Sequence, residues 1–306
     1  MPDNFADRLC RRIADRGTPT CVGLDPVYAR LPATLRERYE TGSAGDIAAA
    51  VDAIVEFGRG VIEAVGPLVP VMKINIAFFE VYGGRGVEAY FDLVGAAATA
   101  GLMVIGDVKR ADIGHSTTAY ARGQLSGTGV PDAVTVNPYL GLDGIRPFMD
   151  VCRDEGKGLF ALVQTSNEAA REVQDVRLAS GGTVAAHVGG LVNEWAAGPG
   201  LMGARGYSAV GAVVSPRDVA GADTLRSILD RCIFLVPGYG AQGQSAERVA
   251  HCFKEDGSGA IVNSSRGVIY AHENECYAAS AGAGWQRCIE SACRDFIRDI
   301  NGVLNR

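Results

Sequence analysis

The sequence predicts an α/β chain folded as a single (β/α)8 barrel, the TIM-barrel architecture, with an N-terminal helical extension and an insertion after strand five. Three observations lead there. Eight short β-rich runs recur, at 20–24, 69–74, 102–106, 133–137, 159–164, 209–214, 233–236 and 260–263. Amphipathic stretches separate most of them, the pattern of strands alternating with helices. The length of 306 residues suits one closed barrel of about 250 residues plus additions, so one domain over 1–306 is expected. A doubly wound open sheet is the structural alternative. It usually carries GxGxxG after its first strand, and Cys21-Val22-Gly23-Leu24-Asp25-Pro26 has no such turn.

The elements follow in order. Residues up to Gly17 read as a helix lying across the barrel, ahead of the first strand. From Asp46, the residues Ile47, Val51, Ile54, Val55, Val61, Ile62 and Val65 recur at the spacing of one buried helix face. The second and third runs end in charge, at Lys73 and at Asp107-Val108-Lys109-Arg110-Ala111-Asp112. After the fifth run, 166–206 is too long for a simple connection. It holds a charged stretch, a helical segment near 183–197 and the break Gly198-Pro199-Gly200, and is expected to be an insertion near the mouth. The last strands are followed by glycine-rich loops, and 286–304 reads as a closing helix.

Composition bounds the function. Hydrophobic residues make up 47% of the chain and charged residues 21%, enough for a large core. A net charge of -6 with no basic run interleaved with aromatics argues against a nucleic-acid surface. The eight cysteines are scattered without a CxxC pair, which favours reduced thiols in the cytoplasm. Charges among residues 3–15 break any signal-peptide core, and no uncharged apolar run reaches the roughly 18 residues of a membrane helix. Neither export nor a membrane partner is expected.

Strand ends of such a barrel face a common mouth. There the chain sets Asp25, Lys73, Asp107 and Lys109, with Asp112 just beyond in the loop. Strand alternation puts Asp107 and Lys109 on one face and Val108 on the other. Alternating signs let each charge hold its neighbour ionised. One isolated Lys–Asp pair would read as a structural ion pair; five charges at three strand ends read as a site.

An anion grip is expected opposite. Pro237-Gly238-Tyr239-Gly240-Ala241-Gln242-Gly243-Gln244-Ser245 follows strand seven, and Asn263-Ser264-Ser265-Arg266-Gly267 follows strand eight. Barrels often bind phosphate with these two loops. Glycines let backbone N–H groups approach an anion, and Arg266 offers a planar fork. Gln164-Thr165-Ser166-Asn167, at the end of strand five, could pair with the edge of a heterocycle or simply cap a turn.

With these residues assembled, the chain resembles the orotidine 5'-phosphate decarboxylase family, and within it the longer-chain bacterial branch. The most specific match is Asp107-Val108-Lys109-Arg110-Ala111-Asp112 with Ile113-Gly114, the family's D-x-K-x-x-D. Val22-Gly23-Leu24-Asp25-Pro26, Met72-Lys73-Ile74-Asn75, Thr135-Val136-Asn137-Pro138-Tyr139-Leu140-Gly141, Thr165-Ser166-Asn167, Pro237 to Gly243 and Asn263 to Gly267 match in the same order. The resemblance implies that Lys109 protonates carbon 6 of the pyrimidine and that Asp107 sits against the substrate carboxylate. It implies that Lys73 and Asp112 complete the network, with Asp112 reaching into the neighbouring subunit's site, so the active unit would be a homodimer. Asp25 would take a ribose hydroxyl, Ser166 the pyrimidine edge, and Gln242 with Arg266 the phosphate, in loops that include Pro237 and Ser265. The family usually has threonine four residues after the last Asp of its motif. Here Ser116 stands there with Thr117 beside it, which leaves open which hydroxyl binds substrate, and His115 is expected to face solvent.

The implied substrate is orotidine 5'-phosphate and the product UMP. Loss of carbon dioxide leaves negative charge on a ring carbon; the chain carries no motif for an electron-sink cofactor, so none is expected and a fixed cation must serve. No metal is expected either. The nearest rival is a magnesium-dependent sugar-phosphate decarboxylase or aldolase on the same barrel. A rival of another class is an inactive nucleotide-binding regulator.

Overall fold

This computed structural model describes residues 2–39, 46–240, 245–277 and 284–304. Eight parallel strands close in sequence order into a barrel: β1 (Thr20–Leu24), β2 (Val71–Asn75), β3 (Met103–Arg110), β4 (Ala133–Val136), β5 (Gly158–Gln164), β6 (Val210–Val214), β7 (Phe234–Val236) and β8 (Ala260–Ser264), with β8 pairing back onto β1. Helices cover the outside of the barrel, so its strands are buried on both faces, and this is why they read as short continuous apolar runs instead of alternating ones.

All eight expected strands form, and two differ at an end by more than one residue. Val69 still bonds through its N–H to the Val65 carbonyl at the end of the preceding helix. Pro70, without an N–H, keeps β2 from starting before Val71. β3 runs four residues past its expected end, through Asp107 and Lys109 to Arg110. Apolarity stops at the first charge, but pairing continues because those charges find partners across the barrel end.

Helix Phe5–Arg16 closes the N-terminal end of the barrel. Phe5 meets Phe160 edge-on at 5.9 Å, in a space that exists because residue 158 is glycine: a Cβ there would lie 2.3 Å from the Phe5 ring. Arg8 pairs with Asp132 at 2.7 Å, and Asp132 in turn accepts the Val104 N–H. Helix Trp285–Leu304 packs beside helix Ile47–Val65 and donates from Asn301 to the Gly17 carbonyl at 2.9 Å.

The stretch 166–206 divides in two. Helix Val184–Ala196 buries Ala185, Gly189, Val192 and Trp195 and packs on β5 and β6, so it is the barrel helix that joins them. The added chain is the pair of helical turns Glu168–Ala170 and Arg171–Gln174 with the Arg177–Thr183 bridge at the mouth, and a loop near 197–208 at the opposite end. That second loop receives Asp7, whose carboxylate accepts the N–H groups of Ala204 and Arg205 at 2.8 Å.

Candidate active site

The C-terminal strand ends enclose a cavity of about 450 Å³ lined by residues from β1 to β8, among them Asp25, Lys73, Asp107, Lys109, Thr135, Ser166, Pro237, Ser265 and Arg266. Its floor is a row of alternating charges. Lys73 Nζ lies 3.6 Å from Asp25 Oδ1 and 2.9 Å from Asp107 Oδ2; Lys109 Nζ lies 2.5 Å from Asp107 Oδ1. Lys73 and Asp107 are buried, whereas the Lys109 side chain is 49% exposed to the cavity and solvent.

Burial by itself would lower the Lys73 pKa, but Asp107 and Asp25 outweigh it and hold the ammonium well above its ordinary range. Burial would likewise raise the Asp107 pKa, and Lys73 with Lys109 push it far below the carboxylate range. Each charge is tolerable because of its neighbours; removing either partner would strand a buried ion. Beneath them the Cys21 thiol, close to Asn263, is pushed up to about 12 chiefly by burial and stays a thiol.

The local backbone explains how two charges two residues apart reach one carboxylate system. Lys109 has φ 45, the left-handed region that non-glycine residues rarely enter and a conformation that costs about 1–3 kcal/mol. The pairing of β3 with β4 shifts there: Gly106 faces Val134 and Arg110 faces Val136, so three residues bulge opposite Thr135. The Thr135 hydroxyl spans the bulge, accepting the Lys109 N–H at 3.0 Å and donating to Asp107 Oδ1 at 2.9 Å. Simple strand alternation accounts for the shared face of Asp107 and Lys109 only in outline; the bulge aims the lysine.

The other side of the cavity comes from β7 and β8. Ser265 sits against β1 where residue 23 is glycine, since a Cβ there would lie 1.9 Å from Ser265 Oγ. Arg266 is exposed beside it and makes no ion pair among the described residues. Tyr239 anchors the β7 loop by stacking on Phe296 and donating to Asp299 at 2.9 Å. Tyr270 anchors the β1 loop: its hydroxyl donates to the Asp25 carbonyl and accepts the Val27 N–H. One Asp25 carboxylate oxygen, Oδ1, is buried with no hydrogen-bond partner among the described residues.

Of the residues expected from sequence, Asp25, Lys73, Asp107, Lys109, Ser166, Pro237, Ser265 and Arg266 come together around the cavity. Asp112 does not line it; half-buried, it accepts the Ile113 N–H at 2.8 Å. Ser116 is exposed in the first turn of the helix Gly114–Leu125 that follows, as is His115. Thr117 is buried and donates to the Gly144 carbonyl at 3.1 Å, so its hydroxyl is spent on helix packing. Gln242 lies outside the described residues. Sequence reasoning passed over Thr135, Tyr270 and Asn263. Thr135 and Asn263 stand inside quoted motifs, but only the pairing of neighbouring strands reveals their contacts.

The comparisons with known proteins agree with this geometry. The orotidine 5'-phosphate decarboxylase / HUMPS family model matches residues 20–281. The chain is 39% identical, over 97% of its length and 99% of the relative's, to a protein of Rhodopirellula baltica named orotidine 5'-phosphate decarboxylase. Its fold superposes on a candidate orotidine 5'-phosphate decarboxylase of Streptomyces avermitilis with a TM-score of 0.77 at 32% identity, covering 100% of this chain and 98% of that one. The OMP decarboxylase of Leishmania donovani gives 0.72 at 27% identity and 99% coverage of both chains. Motif order, barrel and cavity thus converge with these matches, and the chain belongs to the orotidine 5'-phosphate decarboxylase / HUMPS family.

Proposed function

We propose that this protein decarboxylates orotidine 5'-phosphate to UMP and carbon dioxide, a step of pyrimidine biosynthesis, without a cofactor. The observation that carries the reading is the alternating row Asp25, Lys73, Asp107, Lys109 on the cavity floor, with the ammonium of Lys109 as its exposed end.

The chemistry follows from that row. The bond from carbon 6 to the carboxylate breaks, carbon dioxide leaves, and the electron pair stays on the ring carbon. The Lys109 ammonium lies beside the developing charge, stabilises it, and transfers one proton from Nζ to carbon 6. Its exposed side chain can then take a proton back from solvent. Asp107 sits against the departing carboxylate, and together with Thr135 it keeps Lys109 immobile, so little reorganisation is needed as charge develops.

The remaining residues bind. Asp25 Oδ1, which faces Lys73 but makes no hydrogen bond among the described residues, suits a ribose hydroxyl. Ser166 meets the pyrimidine edge. Arg266, with Pro237, Ser265 and Gln242 in the same two loops, holds the phosphate, whose binding energy is useful for ordering a site far from the breaking bond. The whole chain, 1–306, acts as one domain.

The active unit is a homodimer in which Asp112 completes the partner's network and Ser116, the free hydroxyl of its pair, reaches the partner's substrate. Exposed apolar side chains on the segments that follow β2, β3 and β4 support this: Val81, Ile113, Tyr139 and Leu140 are 73%, 58%, 84% and 43% exposed. Eight unpaired cysteines suit the reducing cytoplasm. Among the described residues no helix is long and apolar enough to cross a membrane.

The direct test follows the absorbance of orotidine 5'-phosphate with purified protein, with and without excess chelator. Turnover that survives chelation is expected; no turnover would sink the reading, and turnover lost to chelator and restored by magnesium would favour the metal-dependent rival.

A further inference from the structure

Gln174 ends the helical turn Arg171–Gln174, in the chain added between β5 and its barrel helix. It does not line the cavity, yet both ends of its amide are engaged. Oε1 accepts the Thr165 N–H at 3.0 Å and an Arg217 Nη2–H at 3.1 Å, while Nε2 donates to Thr165 Oγ1 at 2.9 Å. Two of these partners can only donate, so the amide orientation is determined. Thr165 Oγ1 passes its own proton on to Asn167 Oδ1 at 2.7 Å.

Arg217 stands three residues past the end of β6 with a side chain only 9% exposed, and it also pairs with Asp175, the residue after Gln174, at 3.1 Å. β5 and β6 are tied at the same level by Gln164, whose amide donates to the Ser215 carbonyl and whose carbonyl accepts the Ser215 N–H. A continuous relay therefore runs from the β6 loop through Arg217 and Gln174 into Thr165 and Asn167, which flank Ser166. All three of Thr165, Ser166 and Asn167 line the cavity.

A loop that reads the edge of a planar ring must hold its donors and acceptors to within about half an ångström. We propose that Gln174, steadied by Arg217, is the positioning residue that sets the Thr165–Ser166–Asn167 edge and so determines which heterocycle the site accepts. This rests on Ser166 facing the pyrimidine, as proposed above. It gives the added chain after β5 a role: it supplies the brace that the barrel itself lacks.

The test uses the full chain and calorimetric binding of UMP and of ribose 5-phosphate, which shares the sugar phosphate but lacks the ring. Gln174→Ala should weaken UMP about tenfold, the scale of one or two net hydrogen bonds, change ribose 5-phosphate less than about twofold, and raise KM more than it lowers kcat. Gln174→Glu keeps the acceptor for Thr165 and Arg217 and should restore part of the UMP affinity. Unchanged UMP binding in Gln174→Ala, or equal losses for both ligands, would overturn the proposal. Gln174→Asn keeps the amide but is one methylene too short; it decides by the same outcomes if the alanine variant does not fold. Ser166→Ala separates the two readings. If it weakens UMP and Gln174→Ala does not, positioning alone fails; if it leaves UMP unaffected, the base-reading role fails and the positioning role with it.

Discussion

The hydroxyl of Thr135 accepts the main-chain N–H of Lys109 at 3.0 Å while donating to Asp107 at 2.9 Å. One side chain on β4 thereby holds both the left-handed backbone of the lysine and the carboxylate to which its ammonium is bound. Thr135→Val keeps the shape and removes both bonds. It should lower stability by about 1–3 kcal/mol and kcat about ten- to a hundredfold, with UMP affinity nearly unchanged. Chemical denaturation, steady-state kinetics and UMP titration together check this; wild-type kcat would refute the positioning of Lys109 by Thr135.

Lys109→Ala removes the proposed proton donor and leaves the sugar and phosphate contacts in place. Turnover should fall by at least about 10³, the upper range for a single electrostatic or acid group, while UMP binding remains measurable. Near-normal turnover would exclude Lys109 as the acid.

Arg266→Ala should act on the phosphate. The variant is expected to lose about a hundredfold in kcat/KM for orotidine 5'-phosphate, but to match wild type on a truncated substrate without phosphate. Added phosphite dianion should activate the wild type on that truncated substrate far more than the variant. Equal activation of both would take the phosphate role away from Arg266.

The network also sets a pH dependence of stability. Asp107 is held below its ordinary value of 3.8, so its contribution is present above that pH and is lost as pH falls through the lower folded value. Lys73 is held above 10.5, so its contribution is present below that pH and is lost as pH rises through the higher folded value. Between those limits the pair contributes a flat plateau. Asp107→Asn should leave Lys73 without its closest anion, lose about 3–5 kcal/mol on the plateau, and flatten part of the acid slope. Urea unfolding from about pH 2 to 10 measures the plateau and the upper part of the acid slope.

The dimer makes a separate prediction. If Asp112 serves the partner's site, Asp112→Ala and Lys109→Ala proteins are each nearly inactive, yet a mixed dimer contains one intact site. Unfolding and refolding an equal mixture should restore about a quarter of wild-type activity, since half of randomly paired dimers are mixed and each has one working site of two. No recovery would place Asp112 outside the shared site.

Much of the fold was legible because its signals are local. Eight short apolar runs, all but the seventh closed by a polar or charged group, needed only neighbouring residues to recognise, and Asp25, Lys73, Asp107 and Lys109 marked the strand ends in turn. Less legible was 166–206, where the regular barrel helix Val184–Ala196 was hidden between two additions. Ser116 and Thr117 show a similar limit: adjacent hydroxyls look alike in sequence, and only the packing of Thr117 under Gly144 tells them apart.

The sequence by itself determined the barrel, the order of its strands and the charges at their ends, because apolar runs and motif spacing are properties of contiguous chain. Only the tertiary structure decided how those charges are aimed. The bulge at Lys109, the Thr135 hydroxyl that spans it and the Gln174 brace on Thr165 all depend on register between segments that meet only when the barrel closes, and hydrogen-bond geometry across that closure is not written in either segment alone.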